Sequence, residues 1–331
     1  MEYRHLGTSG FKVPVFGLGA NIFGHQKATS HFTDPDETAR IIHKAEELGA
    51  NFIDTSNSYT GGDSETFIGR AVAGRRHKHI IASKVGWEPN HLIAQGYRMG
   101  PNEAGLSRGH IMDSIDGTLS RLGTDYVDLY YAHKPDPHTP WDETLRAFDD
   151  LVQTGKVRYI ACSNFAGWQI AAMSAISSHN GYTPLVASQS LYNLFERQTE
   201  RDVVPACLHF GLSVLPYSPL AQGVLTGKYR AGEPAPKGTR GYGNTSERFQ
   251  ALMAPARLKA IANLDRWSQD HGYRVGDLAL AWLLAQPGVS SVINAVTSIE
   301  QLEANVRATG WKLDGSQLGE VEKEIGEFAD R

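Results

Sequence analysis

The feature that most constrains this chain is an alternation, repeated eight times, between short apolar or β-branched runs and longer segments of helical period. The runs fall at residues 15–18, 51–53, 79–82, 126–131, 157–161, 185–187, 212–215 and 291–293. The segments between them carry their own boundaries. Asp34-Pro35 opens one, Ala39, Ile42, Ala45 and Leu48 follow at apolar spacing, and Gly49 ends it. Ser107 caps another, which carries Ile111, Ile115, Leu119 and Leu122 and stops at Gly123, and Thr139-Pro140 and Gly155 frame a third. Strands joined through helices pair in parallel, and a parallel sheet needs cover on both faces. Eight such units predict an α/β fold, a (β/α)8 TIM barrel, over a single domain spanning residues 1–331.

Three features depart from the plain repeat. Residues 3–6 and 11–15 flank Thr8-Ser9-Gly10 and read as an N-terminal β-hairpin. The segment 219–249 is rich in Gly, Pro, Lys and Arg without strong period, as a binding loop or lid would be. Two helices, 256–271 and 275–285, precede the eighth strand where one would suffice. An open doubly wound sheet would place a third glycine after Gly17-Leu18-Gly19, and none is there.

Charge and cysteine usage narrow the function classes. With 32 basic against 36 acidic residues, the chain has no excess charge to hold nucleic acid or an anionic membrane. Cys162 and Cys207 have no metal-ligand spacing and cannot staple a chain this long, so reduced thiols and a cytoplasmic location are expected. The longest apolar run, 278–285, is too short to cross a bilayer, and the polar start suggests no secretion signal. His77 and His79 lack further ligands and read as part of a solvated turn, so no metal site is expected.

Barrel enzymes place reactive groups where strands end and the following loops begin. Here polar residues close consecutive apolar runs: the second ends at Asp54, with Tyr59 in the loop beyond, the third at Lys84 and the fourth at His133. Taken singly, each has an ordinary structural role, Asp54 capping a turn, Lys84 snorkelling, His133 satisfied in a core and Tyr59 packing. Four titratable groups at one barrel mouth point instead to a reactive cleft. They suit reduction of an aldehyde or ketone, because hydride attack on the carbonyl carbon leaves an alkoxide that needs a proton and an oxygen-binding pocket. A tyrosine, with a reference pKa of about 10, stays protonated at neutral pH and can donate. Lys84 is expected to lower the Tyr59 pKa and stabilise the phenolate, Asp54 to keep Lys84 charged, and a neutral His133 to hydrogen-bond the carbonyl oxygen. Which ring nitrogen of His133 carries the proton stays open. A Schiff-base aldolase using Lys84 is the rival chemistry, and it conflicts with a lysine held charged by Asp54.

Asp54-Thr55 with Tyr59, Gly62, Ser64 and Glu65, then Ser83-Lys84, then Tyr131-Ala132-His133 resemble the motifs of the aldo-keto reductase family, in the branch similar to potassium-channel β-subunit-like reductases. The resemblance runs from Leu6-Gly7 to Asn305. It implies a barrel with an N-terminal hairpin and extra helices, and a catalytic set of Asp54, Tyr59, Lys84 and His133. It also implies NADPH/NADP+ as cofactor, less often NADH, held without a Rossmann motif. Ser163, Asn164 and Gln189 would meet the nicotinamide carboxamide, and Tyr217 would stack on the ring. Ser218, Leu220, Gln222 and Lys228 would line the pyrophosphate path, with Arg240 reaching over from the long loop. Where this branch reads Ile-Pro-Gly-Ala and then a small or basic residue, this chain has Ile293-Asn294-Ala295-Val296-Thr297, so NADPH preference leans on Arg240, Gln301 and Asn305, with Thr297 supplying only a hydroxyl. Ser298 and Gln301 also form a capping box that would start a helix without any ligand. The resemblance further implies an alternative role, a cofactor-binding, redox-sensing regulatory subunit with little turnover.

The implied partner is a small-molecule carbonyl compound. Phe23 and Trp87 are expected to wall the substrate pocket, beside a long segment that mixes Asn90, Tyr97 and Arg98 with glycines. Substrate identity, stereochemistry, preferred direction and assembly into a homo-oligomer are not legible here.

Overall fold

The computed structural model describes residues 1–24, 32–88, 98–325 and 328–329. Eight strands close a parallel barrel: β3 (Phe16–Gly19), β4 (Phe52–Asp54), β5 (Ile80–Val85), β6 (Val127–Ala132), β7 (Val157–Ser163), β8 (Leu185–Leu191), β9 (Ser213–Tyr217) and β10 (Val292–Asn294). They pair in chain order, and β10 returns to lie beside β3, through Val292↔Phe16 and Ile293↔Gly17. Ahead of the barrel, β1 (Tyr3–His5) and β2 (Lys12–Pro14) form the antiparallel hairpin expected from the sequence.

The helices around the barrel are α1 (Pro35–Glu47), α2 (Asp63–Ala71), α3 (Arg108–Leu122), α4 (Trp141–Gln153), α5 (Gly167–Asn180) and α6 (Val203–Phe210), followed by α7 (Glu247–Leu252), α8 (Pro255–Asp270), α9 (Val275–Leu284), α10 (Ile299–Ala308) and α11 (Gly315–Ile325). Their ends follow the local chemistry. The Asp34 side chain accepts from the Glu37 N–H at the start of α1, Ser107 accepts from the His110 N–H at the start of α3, and Gly123 closes α3 in the left-handed conformation. Thr139 does not cap α4, where Pro140 stands at the N-cap without a side-chain bond.

Two apolar layers result. Outside, the helices bury their faces against the strands in a cluster that includes Ile42, Ile115, Phe148, Ile170 and Leu278. Inside, Phe52, Ala82, Leu129, Tyr131, Ala161, Ala187, Leu215 and Ile293 fill the barrel, and Leu6 and Val13 of the hairpin join them. The barrel is therefore a packed core closed at one end by the hairpin, which leaves the strands' C-terminal end for chemistry.

Two local expectations need correction. His79 is buried, with Nε2 3.0 Å from Glu46 Oε2, and burial holds its pKa below the usual histidine range, because the residue closes the turn Arg76–Lys78 just ahead of β5 with its ring turned to α1. The segment 219–249 contains the tight turn Ala221–Thr226 and the start of α7. Asn90 and Tyr97 lie outside the described residues.

Candidate active site

Side chains alternate across a strand, so the residue two beyond an inward core residue also points inward, one layer higher. This rule builds the site. Two residues after Phe52 comes Asp54, after Ala82 Lys84, after Tyr131 His133, after Ala161 Ser163, after Ala187 Gln189 and after Leu215 Tyr217. Six consecutive strands thus deliver six polar or aromatic groups to the same layer above the apolar plug.

Lys84 stands at the centre of that layer, fully buried. Its ammonium donates to Asp54, to the Thr55 carbonyl at 2.8 Å and to the Tyr59 hydroxyl at 3.3 Å. Burial works against the charge, but Asp54 and Tyr59 together outweigh it and hold the Lys84 pKa above the ordinary lysine value. Asp54 is bound from its other side by the Gln189 amide, which donates to Oδ2 at 2.8 Å. Gln189 is therefore anchored to the Asp54 carboxylate as well as lining the cavity.

Tyr59 enters on the 3-10 turn Tyr59–Gly62, where Thr60 has φ +47° and donates to the Phe23 carbonyl at 2.6 Å. The Tyr59 pKa is raised, because burial outweighs the downward pull of Lys84. The expectation that Lys84 would set the direction of this shift is thus corrected. The hydroxyl nevertheless remains protonated at neutral pH, as a proton donor must.

His133 follows β6 directly. Burial, reinforced by Lys84 and Lys134, drives its pKa well below the usual value, so the ring is neutral. Its Nδ1 lies 3.2 Å from Ser56 Oγ, and its ring packs edge-on to Tyr59 and tilted against Trp87.

A cavity of about 880 Å³ opens over these groups. Asp54, Tyr59, His133, Ser163, Asn164, Gln189, Tyr217, Ser218, Leu220, Gln222, Lys228, Arg240, Thr297, Gln301 and Asn305 all line it, with Trp87. Of the residues expected at the site, two do not. Lys84 lies beneath, hydrogen-bonded to Asp54 and Tyr59. Phe23 is wholly buried in the outer core, because the chain turns down after β3, and Asn21 and Ile22 face the cavity in its place. Gln301 serves the helix start at least in part. Its N–H donates to Ser298 Oγ, but its side-chain oxygen accepts from the Thr297 N–H at 3.0 Å, one residue ahead of the expected capping-box partner.

The backbone is strained where the cavity is lined. The described non-glycine residues with positive φ are Thr60, Asn164, Ser218, Ala221 and Gln222, and all but Ala221 face the cavity. At φ +64°, Asn164 donates to the His133 carbonyl at 2.9 Å and accepts from the Tyr217 hydroxyl at 2.9 Å, so one residue ties together two parts of the layer. Lys228 and Arg240 have no carboxylate partner among the described residues, and each is held below its ordinary pKa, by burial first and by a neighbouring cation second. Cations without a carboxylate partner among the described residues, in a half-enclosed channel, suit a phosphate-bearing cofactor. Arg248 also lines the channel, but it is bound to Glu196 through two contacts of 2.7 and 2.9 Å.

Ser56, Ser58, Asn294, Arg248 and Arg274 also belong to the site's surroundings and were not singled out from the sequence. Ser56 was within reach, since it shares the face of Asp54 two residues on. Ser58 and Arg274 lie outside regular strands and helices, Arg248 is on the short α7 and Asn294 ends β10, so only the closed barrel brings them together.

A family model described as the Aldo/keto reductase family matches residues 15–325. The chain is 37% identical over 322 residues to the uncharacterized oxidoreductase YrpG of Bacillus subtilis (strain 168), across 95% of this chain and 93% of that protein. It is 31% identical to the L-glyceraldehyde 3-phosphate reductase of Escherichia coli O157:H7, across 99% and 93% of the two chains. It is also 33% identical to a putative voltage-gated potassium channel subunit beta of Schizosaccharomyces pombe (strain 972 / ATCC 24843), across 93% and 88%.

Proposed function

The chain belongs to the aldo/keto reductase family, and from that premise we propose that it reduces the carbonyl group of a small aldehyde or ketone with NADPH, Tyr59 donating the proton. The observation that carries this reading is the convergence of Tyr59, Lys84, Asp54 and a neutral His133 on one cavity that is also lined by Lys228 and Arg240, neither with a carboxylate partner among the described residues. A bound nicotinamide cofactor would supply the hydride.

The chain's own groups account for the rest. His133 offers an N–H to the substrate oxygen and orients the carbonyl. Tyr59 protonates that oxygen as negative charge develops on it, and the phenolate left behind is stabilised by the Lys84 ammonium 3.3 Å away. Asp54, buried and bound by Gln189, keeps the ammonium charged and aimed. The charged state of Lys84 opposes the aldolase alternative, which needs a neutral amine.

Ser163, Asn164 and Gln189 are suited to hold the carboxamide, and Tyr217 the ring face. Ser218, Leu220, Gln222 and Lys228 would meet the pyrophosphate. Arg240, aided by Gln301 and Asn305, would give NADPH its advantage over NADH, since Thr297 brings no charge. Arg240→Ala should therefore weaken NADPH binding more than NADH binding, as followed by quenching of protein fluorescence.

The deciding experiment is oxidation of NADPH and NADH across a panel of carbonyl compounds, with Tyr59→Phe alongside. Loss of a positioned general acid should lower turnover by roughly a hundredfold or more while cofactor binding persists. Intact turnover in that variant would sink the mechanism. Absence of turnover in the native protein, with cofactor bound, would favour a regulatory role.

A further inference from the structure

We infer that Ser56 is a positioning residue that fixes the tautomer of His133: its hydroxyl donates to Nδ1, so the single proton of the neutral ring sits on Nε2 and is presented to the substrate oxygen. The consequence for catalysis rests on the carbonyl-reducing role given to His133 above. The tautomer itself does not.

Ser56 is fully buried, and its Oγ lies 3.2 Å from His133 Nδ1. A serine hydroxyl has one hydrogen to give and two lone pairs to receive. The Ser58 backbone N–H, which can only donate, lies 3.3 Å from Ser56 Oγ, and the Ser58 hydroxyl lies 3.0 Å from it. In the proposed arrangement the Ser58 hydroxyl also donates, which fills the Ser56 lone pairs and leaves its hydrogen for an acceptor. Two acceptors then compete. Asn57 Oδ1 stands at 3.4 Å on the adjacent residue, whereas His133 Nδ1 is nearer. In that arrangement Nδ1 receives the hydrogen. In a neutral imidazole one nitrogen accepts and the other donates, so Nε2 carries the N–H.

The ring is held in this setting on every side. The His133 N–H donates to the Val85 carbonyl at 2.8 Å, its carbonyl accepts from Asn164, and Tyr59 and Trp87 flank the ring at centroid distances of 5.8 and 5.2 Å. The opposite tautomer would turn the Nε2 lone pair toward the lone pairs of a carbonyl oxygen, which repels the substrate instead of orienting it. Burial and the nearby Lys84 keep the ring neutral, so the choice between tautomers is a real one at neutral pH.

The test is a long-range ¹H–¹⁵N correlation spectrum of the ¹⁵N-labelled cofactor-free protein near neutral pH, with the His133 signals identified by their loss in His133→Gln. Native protein should show Nε2 as the protonated, pyrrole-type nitrogen and Nδ1 as the pyridine-type acceptor. Ser56→Ala should shift the population toward Nδ1–H, and Ser56→Thr, which keeps the hydroxyl, should restore the native pattern. In parallel, Ser56→Ala should lower kcat/KM roughly three- to tenfold, the size expected for one neutral hydrogen bond, without changing the Kd for NADPH. An Nδ1-protonated His133 in the native protein, or an unchanged tautomer in Ser56→Ala, would overturn the assignment. The native spectrum decides even if a variant fails to fold. Absent turnover in the native protein would instead strike the proposed function and leave the tautomer standing.

Discussion

Lys84 shows at the residue scale what folding does to an ordinary side chain. A buried ammonium is costly unless paired, and here Asp54, the Thr55 carbonyl and the Tyr59 hydroxyl take its three donors. Removing one partner of a buried pair costs more than the pair contributes, because the other charge is stranded. Asp54→Ala should therefore destabilise the fold by about 3–5 kcal/mol in chemical denaturation. The double variant Asp54→Ala/Lys84→Met should cost less than the sum of the two single changes, and strict additivity would contradict the coupling. The identities of these residues were legible from their positions after apolar runs. The direction of the Tyr59 shift was not, since it depends on how burial and a neighbouring cation balance, and burial is a property of the assembled barrel.

At the scale of elements, position follows from the strand's period of two, whereas restraint comes from contacts between elements distant in sequence. Helix α2 lies so close to the end of α3 that a Cβ on Gly69 would stand 2.6 Å from the Leu122 carbonyl oxygen. Backbone cannot yield as a flexible side chain can, so Gly69→Ala should cost about 1–3 kcal/mol, read from the denaturant midpoint. A wild-type midpoint would show that the two helices can part. Helix α7 is too short to be stable alone and depends on burial of Phe249 and Leu252 and on the Arg248–Glu196 pair. Arg248→Ala should therefore speed proteolytic cleavage within residues 221–252 and quicken NADPH release in stopped-flow measurements. No change in either rate would show that this pair does not restrain the segment. The sequence left this stretch as a loop because a six-residue helix offers too few positions for a period to be read.

For the whole molecule, the titrating groups predict a stability plateau. His133, His79 and His110 are all held below the ordinary histidine value, by burial first. Below about pH 6.5 the unfolded chain takes up protons that these folded residues refuse, so stability falls as pH falls. On the alkaline side, burial pushes the Cys162 thiol up to about 12 and raises Tyr59, Tyr130 and Tyr131, while Lys84 also stays protonated beyond its usual range. Above about pH 9 the unfolded chain releases protons that the fold retains, so stability falls again. Denaturation midpoints should be highest between these limits. A midpoint that rises steadily through pH 10 would contradict the burial of these groups.

The sequence by itself determined the barrel, because eight alternations of strand and helix period, with their capping and stop residues, leave few arrangements that cover a parallel sheet on both faces. It also determined which residues top the strands, since Asp54, Lys84 and His133 follow apolar runs whose inward face is set by a period of two. Only the tertiary structure decided what depends on distance and exclusion of water. Phe23 went to the core and Ile22 to the cavity, His133 was made neutral with Ser56 against Nδ1, and Lys228 and Arg240 were left facing a channel without a carboxylate partner among the described residues. Periodicity is written along the chain and survives in the unfolded state. Burial, and the balance of charge it imposes, exists only once the strands have closed.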